Sequence, residues 1–260
     1  MFLPIGDDNS GRRTTPAVNY LFLAANIAVF VLFQGMGTNE KFTYAFSTVP
    51  REIVSGEDIV TDDRRIEDPI TRTEVTIPGL QPTPGSVYLP LLTSMFMHGG
   101  LMHLLGNMLF LWIFGDNVED DLGHARYLSF YLVCGLAASL AHVLTTVGLS
   151  GASSEQALIP CLGASGAISG VLGGYIVLHP HRRVRVLVLR FITQVPAFVA
   201  IGMWFVFQLI SGLGIFGGDS QAGGVAYGAH IGGFIAGVVL IKLFAVGAQP
   251  AGDGPLGRPH

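Results

Sequence analysis

Long apolar runs separated by short charged stretches dominate the chain. Near 17–36, 99–115, 126–148, 163–178, 193–216 and 224–246 the sequence stays apolar for close to the ~20 residues that a helix needs to cross hydrocarbon. Asp, Glu, Lys and Arg are absent from Val75 to Gly115. Only Glu155 interrupts the run from Tyr127 to His181, and only Asp219 the run from Phe191 to Ile241. The pattern predicts an all-α, polytopic membrane protein built as a six-transmembrane-helix bundle over residues 17–246. Residues 1–16 and 247–260 read as polar tails, with 1–15 and 248–260 expected to be mobile. Between the first two spans lies an insertion, 37–88, rich in acidic residues. Its Pro50, Pro69, Pro78, Pro82 and Pro84 argue against one long helix, and the alternation from Thr71 to Ile77 predicts a short strand.

Composition sharpens this picture. Charged residues make up 12% of the 260, against roughly 25% in a soluble globular domain. The 35 glycines suit transmembrane helices, whose backbones approach closely where side chains are small. A net charge of −4 gives no reason to expect nucleic acid as a partner, so the lipid bilayer is the partner that composition supports. Arg12, Arg13, Arg126, Arg182, Arg183, Arg185, Arg190, Lys242 and Arg258 all fall on one side of a six-span arrangement. The excess of basic residues in short cytoplasmic loops then puts both termini in the cytoplasm and the 37–88 insertion outside. The first apolar run is long enough to act as a signal-anchor rather than a cleaved leader. Cys134 and Cys161 lie in or beside apolar runs and read as buried free thiols.

The fourth run is short. Fourteen residues from Ser165 to Leu178 rise ~21 Å as a helix, less than a hydrocarbon thickness of ~30 Å. With its lower end at the cytoplasmic interface, the upper end lies submerged below the external surface, and Ser165 sits there between small neighbours. Irregular backbone at that depth must line a cavity or be covered by protein. Polar residues in such places are functional candidates. A serine hydroxyl is a weak nucleophile and needs a base within hydrogen-bond reach. His230, in the sixth run, is the candidate. Gly166, Gly170 and Gly174 on one helix, and Gly233 and Gly237 on the other, could bring the two backbones together. With no Asp or Glu inside either run, the pair reads as a dyad.

His103 and Asn107 are four residues apart and share one helix face. Both can donate hydrogen bonds, as an oxyanion requires. His98 stands about a turn above them and could support that region. A zinc site built on these histidines lacks the glutamate of a His-Glu-x-x-His arrangement, so neither a metal nor another cofactor is expected. His142 has no companion and reads as structural.

The set His98-x4-His103-x3-Asn107, Gly163-x-Ser165-Gly166 and Ala229-His230-x2-Gly233-x3-Gly237 resembles the rhomboid intramembrane serine proteases. The segment Phe114-Gly115-Asp116-Asn117-Val118-Glu119 is also typical of that family. The resemblance implies Ser165 as nucleophile and His230 as general base and acid. It implies His103, Asn107 and the Ser165 amide as the oxyanion site, with His98 and Gly163 in support. It further implies single-pass membrane proteins as substrates, cut within or near the outer part of their transmembrane helix. Six spans without an added one resemble the form found in prokaryotic cell membranes. Two positions depart from the pattern. Leu89-Pro90 stands where many relatives carry Trp-Arg, and the 37–88 insertion could compensate for the lost anchoring. Ser169 stands where some relatives place an aromatic against the catalytic histidine. The alternative reading is a catalytically silent rhomboid-like protein that binds membrane clients.

Overall fold

The computed structural model describes residues 2–67, 74–212 and 227–247. Strand β1 (Phe2–Asp7) leads into helix α1 (Ala17–Ala28), which widens into a π turn over Val29–Phe33 and stops at Gln34. In the insertion, α2 (Glu40–Ala45) is capped by Asn39, whose side-chain oxygen accepts from the Phe42 amide. Helix α3 (Pro50–Ser55) begins with a proline and closes on Gly56 at φ 72°, the left-handed position that glycine fills without a Cβ clash. Strands β2 (Arg64–Glu67) and β3 (Glu74–Ile77) form an antiparallel ribbon. Then come α4 (Pro90–Thr93), α5 (Leu101–Leu122), α6 (His124–Ser150) and α7 (Ser165–Leu178). Strands β4 (Arg183–Val188) and β5 (Phe191–Pro196) precede α8 (Ala197–Gly212) and α9 (Tyr227–Ala245).

Among the described residues, α5, α6 and α9 are long and apolar enough to cross a membrane. Ala17–Phe33, Ser165–Leu178 and Ala197–Phe207 are shorter apolar helices. Helix α7 is the hub, packed against α5, α6 and α9 and buried from Gly166 to Tyr175. The contact with α9 is backbone on backbone. A Cβ on Gly233 would stand 2.1 Å from the Gly166 carbonyl oxygen, and one on Gly237 would stand 2.0 Å from that of Gly170. Gly174 instead faces Phe130 and Ile241, while Gly173 takes the place beside the Phe234 carbonyl.

Several expectations need correction. The chain is mostly helical but not all-α, because β1, β4 and β5 form an antiparallel sheet in the order β1-β4-β5. Val184 and Val186 are fully buried against the helices while Arg183 and Arg185 face out, the alternation expected of a half-buried strand. The arginine cluster that reads as a loop is therefore a strand. The fifth apolar run correspondingly starts its helix at Ala197 rather than at 193. The N-terminal residues are no loose tail either. Phe2 pairs with Val188 and Asp7 with Val184, and the following arm grips the end of α5. Residues 248–260 of the C-terminal tail lie outside the described residues.

That grip explains the Gly115–Glu119 segment. Helix α5 runs on to Leu122, and Asp116, Asn117, Glu119, Asp120 and Asp121 are all buried on its last turns. A buried charge needs partners. Arg12 meets Asp116 at 2.8 Å, and Asp120 accepts from the Thr14 amide and hydroxyl, both at 2.7 Å. Glu119 accepts from the Val18 and Asn19 amides at 2.9 and 2.7 Å. It thus caps the first turn of α1, whose own N-cap, Pro16, offers no side chain for the purpose. A Cβ at Gly115 would strike Asn19 Oδ1 at 2.1 Å, so glycine there lets α1 and α5 touch.

Candidate active site

Ser165 opens α7, and its Oγ lies 2.7 Å from Nε2 of His230 on α9. The glycine contacts between these helices set that distance. The His230 ring is flanked by Trp204 of α8, centroids 6.0 Å apart, and by Tyr227, edge-on at 6.5 Å. Ser169 is not an aromatic platform. It is fully buried and returns its hydroxyl to the Ser165 carbonyl at 2.6 Å, so Trp204 supplies the ring beside His230 from a different helix.

Gly163 lies two residues before Ser165 with φ 126°. A Cβ there would be 2.9 Å from the His103 ring and 3.5 Å from Ser165 Oγ, so this glycine lets the imidazole of α5 approach the start of α7. The Gly163 amide donates to the Ser94 carbonyl at 2.9 Å, pinning the turn. His103 Nδ1 accepts from the Gly99 amide at 3.3 Å. Its proton therefore sits on Nε2, the nitrogen nearer Gly163. Asn107, one turn further along, is buried, and its Nδ2 has no hydrogen-bond partner among the described residues. His98 is fully buried and packs edge-on to His103 at 5.2 Å. All six of these candidates line one cavity of about 750 Å³.

The end of the first apolar helix and the insertion that follows it contribute what the sequence does not announce. Gln34, fully buried at the end of α1, brackets the His98 backbone: its Oε1 accepts from the His98 amide at 3.0 Å and its Nε2 donates to the His98 carbonyl at 2.8 Å. The same Nε2 donates to Thr43 Oγ1 on α2 at 2.8 Å. Thr48 pairs with Cys161 through two backbone bonds of 2.9 and 2.8 Å, and its hydroxyl reaches the Pro90 carbonyl at 2.9 Å. Thr93 bonds the Phe46 carbonyl at 3.0 Å. The segment around Leu89-Pro90 is thus tied down by residues 34–48, where the resemblance leads one to look for Trp-Arg.

The family model of the rhomboid domain matches residues 85–246, which takes in Ser165, His230, His103, Asn107, His98 and Gly163. The chain belongs to the rhomboid family. A mitochondrial rhomboid protein 1 from Saccharomyces cerevisiae is 33% identical over 155 residues, 58% of this chain and 40% of the relative. Rhomboid protease GluP of Bacillus subtilis is 27% identical over 243 residues, 91% of this chain and 36% of GluP. The human presenilin-associated rhomboid-like protein, also mitochondrial, is 32% identical over 104 residues, 40% of this chain and 26% of the relative. The aligned part is well under half of each of these longer proteins. This rhomboid is a multi-pass integral membrane protein. Its relatives come from mitochondria as well as from a bacterium, so the expectation of a prokaryotic cell membrane gains no support.

Proposed function

We propose that this rhomboid is an intramembrane serine endopeptidase that cuts single-pass membrane proteins within or near the outer part of their transmembrane helix. The observation that carries this reading is the 2.7 Å contact between Ser165 Oγ and His230 Nε2, inside a cavity that also holds spare hydrogen-bond donors. In this scheme α1, α5, α6, α7, α8 and α9 are the six spans of residues 17–246. Both termini are cytoplasmic, and the 37–88 insertion is external.

The geometry supports the following chemistry. His230 Nε2 takes the hydroxyl proton as Ser165 Oγ attacks the scissile carbonyl carbon, and the carbonyl oxygen becomes an oxyanion. His103 Nε2–H, Asn107 Nδ2–H and the Ser165 backbone amide stabilise it. The amides of the first helical turn have no intrahelical partner and point toward such a charge. His230 then returns the proton to the leaving amine, and a water activated by the same imidazole hydrolyses the acyl-enzyme. His98, held by Gln34, keeps His103 in place. A helix presents no free carbonyl, so substrates whose upper turn unwinds easily are preferred.

The test is labelling of the purified protein with a fluorescent fluorophosphonate, beside Ser165→Ala and His230→Ala. Labelling of the wild type alone is the expected result. No labelling under conditions where an active rhomboid protease reacts would instead favour a silent client-binding protein.

A further inference from the structure

Apart from one residue, the described lining of the catalytic cavity carries no Asp, Glu, Lys or Arg. That residue is Glu40. It comes from the insertion, on the first turn of α2, with Thr43 and Tyr44 beside it on the same cavity wall. Glu40 is exposed, so it stands at the mouth and not beside Ser165. Its carboxylate is close enough to Tyr44 to add, after burial, to the rise of that phenol above its ordinary range.

Two features make this more than an ordinary surface glutamate. Its position is fixed. Helix α2 is capped by Asn39 and stapled by Thr43 to Gln34, which in turn holds the His98 backbone. Residue 40 is therefore carried by a helix with a defined place relative to His98 and His103. Its charge is also left available. The neighbouring cation, Lys41, turns to Asp63 at 3.9 Å, and no ion pair to Glu40 occurs among the described residues. A negative charge at the mouth of a largely apolar cavity acts on whatever enters it, because low-dielectric walls focus the field.

Resting on the protease reading above, we propose that Glu40 makes the cavity mouth select transmembrane substrates bearing a lysine or arginine in the external segment next to the cut. Basic residues gather on the cytoplasmic flanks of membrane helices. An external Lys or Arg therefore marks a minority of possible clients, and a carboxylate at this point discriminates among them.

The experiment uses three single-pass peptides in nanodiscs, alike except for Lys, Ser or Glu in the external flank. They are presented to the wild type, Glu40→Gln and Glu40→Lys. The wild type should cut them in the order Lys, Ser, Glu. Each step should be about fivefold in kcat/KM, the size of one partly screened ion pair, and should shrink at high salt. Glu40→Gln should level the series and Glu40→Lys should invert it. The same order in all three proteins overturns the proposal. Affinities of the peptides for Ser165→Ala, and for that variant combined with Glu40→Lys, read the same preference without turnover. An inactive chain thus still tests Glu40, and fluorophosphonate labelling separately reports whether the protease reading stands. An order in affinity that ignores the charge at residue 40 sinks the inference whatever the labelling shows.

Discussion

Gln34 is a single buried amide that completes three hydrogen bonds, two of them to the backbone amide and carbonyl of His98. In Gln34→Ala the His98 amide and carbonyl lose their partners in a buried place, which costs roughly 1–3 kcal/mol. Thermal unfolding in detergent should report that loss. His98 also packs on His103, so fluorophosphonate labelling of Ser165 should slow in the folded fraction. A variant that is less stable but labels at the wild-type rate would leave Gln34 a merely structural residue. Ser165, His230, His103 and Asn107 were readable in the sequence because polar groups are scarce in apolar runs and each stands out. Gln34 was not. Its role lies in meeting a backbone 64 positions away, and nothing local distinguishes it from any glutamine at a helix end. Trp204 escaped for a similar reason, since an aromatic in an apolar helix looks like lipid-facing bulk.

At the scale of elements, the α7–α9 contact sets the distance between Ser165 and His230. Leucine at Gly237 must displace the Gly170 carbonyl, 2.0 Å from its Cβ, and no flexible side chain is there to yield. Gly237→Leu should therefore cost about 1–3 kcal/mol from overpacking. It should also cut Ser165 labelling at least tenfold, because the hydrogen bond to His230 cannot survive a shift of an ångström. Gly202→Ala on α8, where no atom stands within 4 Å of the added Cβ, should label normally. Equal labelling in both variants would remove the glycine contact from the mechanism. The long helices were legible because unbroken apolar runs have few other uses. The β1-β4-β5 sheet was not, since β1 is short and its partner lies some 180 residues on. In β4 the alternation of Arg and Val was outweighed by the arginine count. The ribbon strand β3 was legible in the alternation that ends at Ile77.

Across the whole molecule, the sheet and the N-terminal arm tie α1, α5 and α7 together at the end opposite the site. Asp7 is the meeting point: its Oδ2 accepts from Asn117 Nδ2 and from the Tyr175 hydroxyl, both at 2.7 Å. Burial raises its pKa to about 7. The Tyr175 hydrogen bond and Arg182 oppose the rise, while Asp116 and Asp8 add to it. A raised carboxyl contributes stability that is complete below its ordinary value and is lost as pH rises through the folded one. Amide exchange in β1 should therefore quicken, relative to its intrinsic rate, between about pH 4 and pH 7. Asp7→Asn should flatten that dependence, and an unchanged profile in the variant would assign the effect to another group.

The span of that sheet in the chain also has a consequence for biosynthesis. Residues 2–7 leave the ribosome well before their partner strand, which ends at Val188. At about 5–20 residues per second the wait is roughly 10–40 s. The arm's anchors on α5 appear earlier, by Asp120, so the N-terminal segment can settle in two stages. It is gripped once α5 has been made, and it is sealed into the sheet only after Ser165 and the whole of α7 are in place. The last stitch of the sheet thus marks a chain in which the helix bearing Ser165 has already been made.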